Sequence, residues 1–88
     1  MKIYYSTKFE REYKKLPIRI KKLAEEKEKI FRISLSDPKL NIHKLKGRIS
    51  GYWAFWIDQK YRVIFEYAKK DVIWFHLVGD HSIYKLKK

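Results

Sequence analysis

Two histidines and one arginine, far apart in the sequence, carry the side chains best suited to proton transfer at a phosphate. His43 lies in a segment rich in lysine and arginine, Arg62 lies inside an apolar run, and His81 follows the end of another apolar run. Imidazole titrates near pH 6.5, so it can take up or release a proton near neutrality. A guanidinium stays charged and fits phosphate oxygens. These three groups can act on a phosphate backbone if the fold brings them together.

The charge of the chain favours an anionic partner. Its 22 lysines and arginines outnumber its 10 acidic residues, which gives a formal net charge of +12 over 88 residues. Solubility alone needs a net charge of only about 2–8. A nucleic acid is the first interpretation of this excess and an acidic protein the second. A merely soluble, lysine-coated surface is the remaining alternative.

Several classes of protein are excluded or disfavoured by composition. The chain has no cysteine, so it has no disulfide, no thiolate nucleophile and no cysteine-based metal site. The three histidines lack any short ligand spacing, so a zinc site is not expected. No apolar run approaches the roughly 18 residues of a membrane span, and the first residues become charged too soon for a signal peptide. We expect a cytoplasmic protein without a membrane partner, folded as one domain over residues 1–88.

The first part of the sequence predicts a short strand followed by two helices. Lys2–Tyr5 has strand character, and Thr7 with Glu10 forms the pattern of a capping box that starts a helix. Pro17 ends this helix and opens a second one that runs to about Leu35. Each helix has an apolar stripe, which predicts that both cover one side of a sheet. The stripes consist of Phe9, Tyr13 and Leu16, and of Ile20, Leu23, Ala24, Ile30 and Phe31.

The second part predicts an antiparallel meander of three strands, Tyr52–Ile57, Tyr61–Tyr67 and Val72–Val78. The first strand of the chain joins this sheet at an edge that the sequence does not assign. The predicted fold is therefore α+β, in the order β-α-α-β-β-β. Tyr52–Ile57 is apolar on both faces, so it must be covered twice. The helices are one cover, and loops, a partner chain or stacked bases are candidates for the other.

Arg62 and His76 each have two interpretations. An arginine in so apolar a strand either grips a phosphate or pairs with a carboxylate, since an unpaired buried charge costs several kcal/mol. Glu66 lies on the same strand face but about 13 Å away, so that pairing would be strained. His76, which alternates with Trp74 and Val78, is interpreted as a satisfied core imidazole rather than a ligand.

Residues 39–51 are predicted to form a basic loop, with Gly47 and Gly51 allowing sharp bends. Incidental charge on a mobile surface loop is the alternative to a binding role. The candidate RNA-binding cations are Lys44 and Arg48 in this loop and Lys85 and Lys87 in the tail.

Three stretches resemble the core segments of the RelE/ParE toxin superfamily of toxin–antitoxin systems. They are HKLKG, GYWAFWIDQKYRVIFEY and VGDHSIY. The resemblance implies a ribosome-dependent messenger-RNA endonuclease that works without metal or other cofactor and is inhibited by an acidic antitoxin. The ribosome and its message would be the other partners. The ParE branch instead poisons DNA gyrase, which gives an alternative, and a non-catalytic module that coats RNA or a decayed toxin are further ones.

The resemblance also implies roles for single residues. Arg62 matches the third-strand arginine of the superfamily, and His81 matches the late histidine of its YoeB- and YafQ-like branches. His43 is then the general base, His81 the general acid, and Lys46 stabilises the phosphate together with Arg62. Tyr84 is a stacking platform or an auxiliary donor.

One position departs from the YafQ-like pattern and one assignment stays open. Trp56 stands where that pattern has a second-strand histidine, so the YafQ variant of the mechanism is disfavoured. The general base and the general acid can also be exchanged between the two imidazoles.

Overall fold

The computed structural model describes residues 1–80 and 82–83, and within them two helices lie on a five-stranded sheet. The elements are β1 Lys2–Tyr5, α1 Thr7–Lys14, α2 Ile18–Ile33, β2 His43–Lys44, β3 Trp53–Trp56, β4 Arg62–Lys69 and β5 Val72–Gly79. The strands are ordered β1-β5-β4-β3-β2 in the sheet. The predicted α+β class is confirmed. Within the described part of the chain, no helix has the length and apolar character needed to cross a membrane.

The sheet differs from the predicted one at both edges. β1 pairs in parallel with β5, so the sheet is mixed rather than wholly antiparallel. A parallel pair needs a long crossover, and residues 6–71 supply it. At the other edge the two-residue strand β2 pairs with β3. The sequence did not predict β2 because a strand of two residues has no detectable alternation.

Helix α1 is capped by Ser6, so the prediction that Thr7 and Glu10 form its capping box is wrong. Ser6 has the extended backbone that a capping residue needs, with ψ of 159°. Its hydroxyl accepts a hydrogen bond from the Phe9 N–H at 2.9 Å and donates one to the His76 carbonyl at 2.8 Å. One side chain therefore starts the helix and joins it to β5.

The Ser6→Ala substitution is expected to lower the free energy of unfolding by about 1–2 kcal/mol, because it removes both bonds at once. The measurement is urea denaturation followed by circular dichroism. The matched control is Thr7→Ala, which changes an exposed neighbour and should stay within about 0.5 kcal/mol of the wild type. Equal losses in the two variants would contradict the assignment of the cap.

The main core lies between the helices and one face of the sheet, which we call the first face. Both predicted helical stripes contribute to it, as does the alternation predicted for β4. Phe31 of α2 is fully buried at its centre. Its ring centroid lies 5.2 Å from that of Phe55, 5.1 Å from that of Phe65 and 5.4 Å from that of Phe75. The first face is therefore occupied by packing that stabilises the fold.

The opposite face, which we call the second face, carries a smaller apolar cluster. Its members are Leu45, Ile49, Ala54, Ile64, Leu77 and Ile83. The sequence left loops, a partner chain and stacked bases as candidates to cover this face. Loops cover this cluster, since Leu45, Ile49 and Ile83 lie outside the strands. Gly79 permits this cover, because a Cβ at that position would lie 2.6 Å from Ile83 Cγ2. His43 and Arg62 also lie on the second face.

Candidate active site

His43 and Arg62 project from the same face of the sheet. His43 pairs with Ala54, and Arg62 pairs with Trp56 two residues further along β3. Paired residues of antiparallel strands share a face, and residues two apart on one strand do so as well. Strand spacing puts the two Cα atoms roughly 10 Å apart across the sheet and roughly 7 Å along it. The sheet thus brings two of the three predicted groups to the second face.

Arg62 is buried, with 6% of its surface exposed. Its Nη1 donates to the Asp58 carbonyl at 2.7 Å and to the Tyr61 carbonyl at 3.2 Å. Its guanidinium carbon lies 4.1 Å from the centroid of the Trp56 ring, a cation–π contact. The sequence left phosphate and carboxylate open as partners, and these contacts are with backbone carbonyls and an indole. The guanidinium of Arg62 therefore lies beneath the second face, and little of the side chain is exposed to solvent.

The turn before β4 is held by a carboxylate. Asp58 Oδ1 accepts hydrogen bonds from the N–H groups of Lys60 at 2.8 Å and Tyr61 at 2.7 Å. Burial alone raises the pKa of Asp58, but these two N–H groups and the charges of Arg19 and Arg62 outweigh it, and the pKa is lowered from 3.8. The turn that presents Arg62 is thus stabilised by the ionised form of Asp58.

This lowered pKa makes the stability of the protein depend on pH. A carboxylate with a depressed folded-state pKa contributes stability that is present above its unfolded-state pKa and is lost as the pH falls through the folded-state value. We therefore expect Asp58→Asn to be less stable than the wild type at about pH 6, with the difference shrinking below about pH 4. Urea denaturation at a series of pH values measures it. A difference that stays constant down to pH 2 would show that the charge of Asp58 contributes nothing.

His43 is exposed at the edge strand β2 and is held as a proton acceptor. Its Nδ1 lies 2.9 Å from the Asn41 carbonyl oxygen. A carbonyl only accepts, so Nδ1 carries the hydrogen in the neutral ring and the lone pair of Nε2 points away from this bond. Asn41 itself has a positive φ of 50°. This geometry is the one that a general base needs.

The basic segment is more ordered than the predicted loop. Residues 39–51 contain β2 and the 3₁₀ turn Gly47–Ile49. Gly47 and Gly51 have φ values of 74° and 96°, as their expected bends require. The cations of this segment are exposed. They do not all share one face, because Lys44 pairs with Trp53 and so projects opposite to His43.

Four of the predicted site residues lie outside the described residues. These are His81, Tyr84, Lys85 and Lys87, and their roles stay predictions. The described residues contain no group of three or more histidines, aspartates and glutamates arranged to hold a metal ion.

His76 does not occupy the core position that alternation predicted. A register shift opposite Ile64 and Phe65 puts both His76 and Leu77 on the second face, and Val78 then turns into the main core. The His76 side chain is 25% exposed, and its Nε2 lies 2.8 Å from Glu66 Oε1. The imidazole is satisfied as expected, but at a surface. Glu66 is thereby engaged across the strand, a contact that sequence spacing does not reveal.

Solved structures with the same fold are toxins of toxin–antitoxin systems. YafQ from E. coli matches with a TM-score of 0.74 at 20% identity, over 94% of this chain and 96% of that one. A YoeB/ParE toxin from Agrobacterium tumefaciens matches with a TM-score of 0.75 at 15% identity, over 92% and 99%. The RelB-RelE antitoxin-toxin complex from Methanococcus jannaschii matches with a TM-score of 0.73 at 28% identity, over 92% and 94%. No protein-family model and no curated protein matches the sequence.

The fold is that of a RelE-like toxin, with two helices on one face of the sheet and His43 and Arg62 on the other. The matches to YafQ and to the YoeB/ParE toxin show the fold. The match to RelE, at 28% identity, supports the RelE/YoeB/YafQ-like toxin superfamily and a toxin role for this chain, and the resemblance stated from the sequence is confirmed.

Proposed function

We propose that this chain is the toxin of a toxin–antitoxin pair and cleaves messenger RNA on the ribosome without a metal ion. The observation that carries the proposal is the placement of His43 and Arg62 on one sheet face of a RelE-like fold. Cleavage of this kind needs a base, an acid and fixed positive charge near the phosphate. Residues of the chain supply all three.

The reaction proceeds by attack of a 2′-hydroxyl on the adjacent phosphate. His43 Nε2 takes the 2′-hydroxyl proton while the bond from O2′ to phosphorus forms. The bond from phosphorus to O5′ then breaks, and His81 gives a proton to O5′. The products are a 2′,3′-cyclic phosphate and a 5′-hydroxyl, and the two imidazoles can exchange their roles.

Positive charge stabilises the phosphorane that forms on the way. Lys46 is exposed and can contact its oxygens directly. Arg62 acts through the charge that it holds beneath the face, where the low dielectric strengthens it. Tyr84 stacks on a base or donates an auxiliary hydrogen bond. Flanking phosphates are bound by Arg48, Lys85 and Lys87. Lys44, which was also predicted to bind RNA, projects from the face opposite His43 and so is not placed to join them.

The proposed protein partner is an acidic antitoxin. The match to a RelE solved together with its antitoxin RelB supports this partner, and so does the net charge of +12. An acidic segment that is disordered alone can order itself along a basic surface. In this proposal the free toxin acts in the cytoplasm, where ribosomes translate.

A ParE-like inhibitor of DNA gyrase is the second candidate. Two observations favour it: the match to a protein named YoeB/ParE toxin and the burial of Arg62, whose guanidinium is occupied by carbonyls and an indole. A non-catalytic basic module that binds RNA is the third candidate, and the net charge of +12 supports it as well.

The decisive experiment adds the purified chain to a reconstituted translation reaction and maps message ends by primer extension. Cleavage within ribosome-bound messages, with free messages left intact, is the expected result. Intact messages together with loss of gyrase supercoiling activity in a parallel assay would replace the proposal by the ParE-like candidate. Binding to RNA without either effect would leave the non-catalytic module.

A further inference from the structure

A row of aromatic rings crosses the second face away from His43 and Arg62. Tyr4 of β1 and Trp74 of β5 are paired neighbours whose rings stack at 5.1 Å and 27°. Trp74 and His76 stack at 6.1 Å and 19°. The ring of Tyr52 meets the His76 ring edge-on at 5.3 Å and 84°. Four rings therefore form one continuous surface, which we call the aromatic row.

The aromatic row is partly open to solvent, unlike the phenylalanine cluster of the main core. Tyr4 is 44% exposed, and Trp74, His76 and Tyr52 are half-buried. Among residues 1–80 and 82–83, the loops that cover the second face are those of Leu45, Ile49 and Ile83, and they pack on the neighbouring apolar cluster. Partly exposed aromatic rings at a surface are suited to stacking on flat, unpaired bases.

Charges around the aromatic row fit a nucleic-acid strand. Lys2 and Lys69 both pair with Val72, and a register shift between Tyr67 and Lys69 brings Lys69 to the face of Val72. The two exposed lysines therefore project from the second face at one end of the row. Glu66 lies beside the rings, opposite Trp74. A carboxylate there disfavours a phosphate directly over the rings but can accept hydrogen bonds from base amino groups. The rings therefore suit bases and the lysines suit the backbone.

We propose that the aromatic row is a binding site for single-stranded RNA, with bases stacked on Tyr4 and Trp74 and phosphates held by Lys2 and Lys69. This site deepens the proposed function, because it lies on the face that carries His43 and Arg62. Glu66 is four residues from Arg62 along β4, about 13 Å away. A strand of RNA can thus occupy the aromatic row while a neighbouring phosphate lies at the candidate active site.

The test measures binding of a fluorescein-labelled decaadenylate to the whole chain by fluorescence anisotropy. Trp74→Leu keeps an apolar side chain but removes the ring, and it should weaken binding about tenfold or more, as loss of one base–aromatic stack does. Trp74→Phe should restore most of the affinity. Tyr67→Leu, which changes an exposed ring on the first face, is the matched control and should bind like the wild type.

Two further measurements keep the proposal testable even if Trp74→Leu folds poorly. In the double variant Trp53→Phe/Trp56→Phe, Trp74 is the single tryptophan that remains of three. The fluorescence of Trp74 should be quenched when the decaadenylate binds. Lys2→Ala and Lys69→Ala should each lower the slope of log affinity against log salt by about 1. Lys22→Ala, an exposed cation on α2, should bind the decaadenylate with wild-type affinity.

Each remaining outcome overturns the proposal in a defined way. Equal binding of a duplex RNA decamer, insensitive to Trp74, would reduce the interaction to general charge. Quenching of Trp74 by a polyglutamate peptide and not by RNA would assign the row to an acidic protein. Ribosomal cleavage without any role of Trp74 would overturn this site alone. RNA binding that depends on Trp74, in a protein that cleaves nothing, would overturn the proposed function alone.

Discussion

The His43→Ala variant is expected to cleave ribosome-bound messages about 10²–10⁴ times more slowly than the wild type. This is the range over which a single general acid or base accelerates a reaction. His43 is exposed, and its hydrogen bond to the Asn41 carbonyl, the one seen among the described residues, is local. Its loss should therefore leave the melting temperature nearly unchanged. The measurement is single-turnover cleavage followed by primer extension.

A pH profile separates loss of a base from loss of RNA binding. The wild-type rate should be bell-shaped in pH if one imidazole accepts a proton and another donates one. His43→Ala should lose one limb of the bell, and His81→Ala the other. Lys22→Ala is the control, since it removes a cation from the helical side. A wild-type rate and profile in His43→Ala would remove this residue from the site.

Arg62 needs a different comparison because it is buried. Arg62→Ala removes the donor to the Asp58 carbonyl and one of the donors to the Tyr61 carbonyl, so the variant should lose stability as well as activity. Loss of activity in this variant therefore does not by itself show a catalytic role for Arg62. Arg62→Lys keeps the charge and loses the planar contact with Trp56, which makes it the better test of charge.

Local patterns predicted most of the fold. The alternation of Val63 and Phe65 assigned the faces of β4, and the stripe through Ile20, Ala24 and Phe31 assigned the buried side of α2. These patterns are strong because burial repeats with the period of each element. The pairings at the two edges of the sheet were not predicted, because short edge strands have no such repeated pattern. The parallel partner of β1 is about 70 residues away, and nothing in a four-residue strand identifies it.

The candidate site was predicted by residue type but not by geometry. The sequence singled out His43 and Arg62, yet their shared face depends on the register of three strands. The hydrogen-bond partners of Arg62 and Lys27 were also hidden. Arg62 and Lys27 both donate to backbone carbonyls, Lys27 to those of Trp56 and Ile57. Any residue supplies a carbonyl, so such a partner has no signature in the sequence.

The first face of the sheet contributes mainly to stability, and the second face carries the groups proposed to recognise RNA. The first face buries phenylalanines from both helices and three strands, whereas the second face leaves imidazoles and partly exposed rings available. A substitution in the core beneath the helices should therefore reduce cleavage only by unfolding the protein. This separation predicts that the largest stability effect in the chain comes from a residue far from the candidate active site.

The Phe31→Ala variant is expected to lose about 3–5 kcal/mol of unfolding free energy, the range for removing a fully buried phenylalanine. Phe31 is 0% exposed and contacts three other phenylalanine rings, so the cavity left behind cannot close easily. A domain of this size has only about 5–15 kcal/mol in total. Urea denaturation measures the loss.

The control for Phe31→Ala is Ile33→Ala, two residues further along the same helix and 85% exposed, which should change stability by less than about 0.5 kcal/mol. Phe31→Leu should fall between the two, because it keeps part of the buried volume. A loss below about 1 kcal/mol in Phe31→Ala would mean that the helices do not pack on the sheet through this ring. Folded Phe31→Ala molecules should still cleave at the wild-type rate, because His43 and Arg62 lie on the second face.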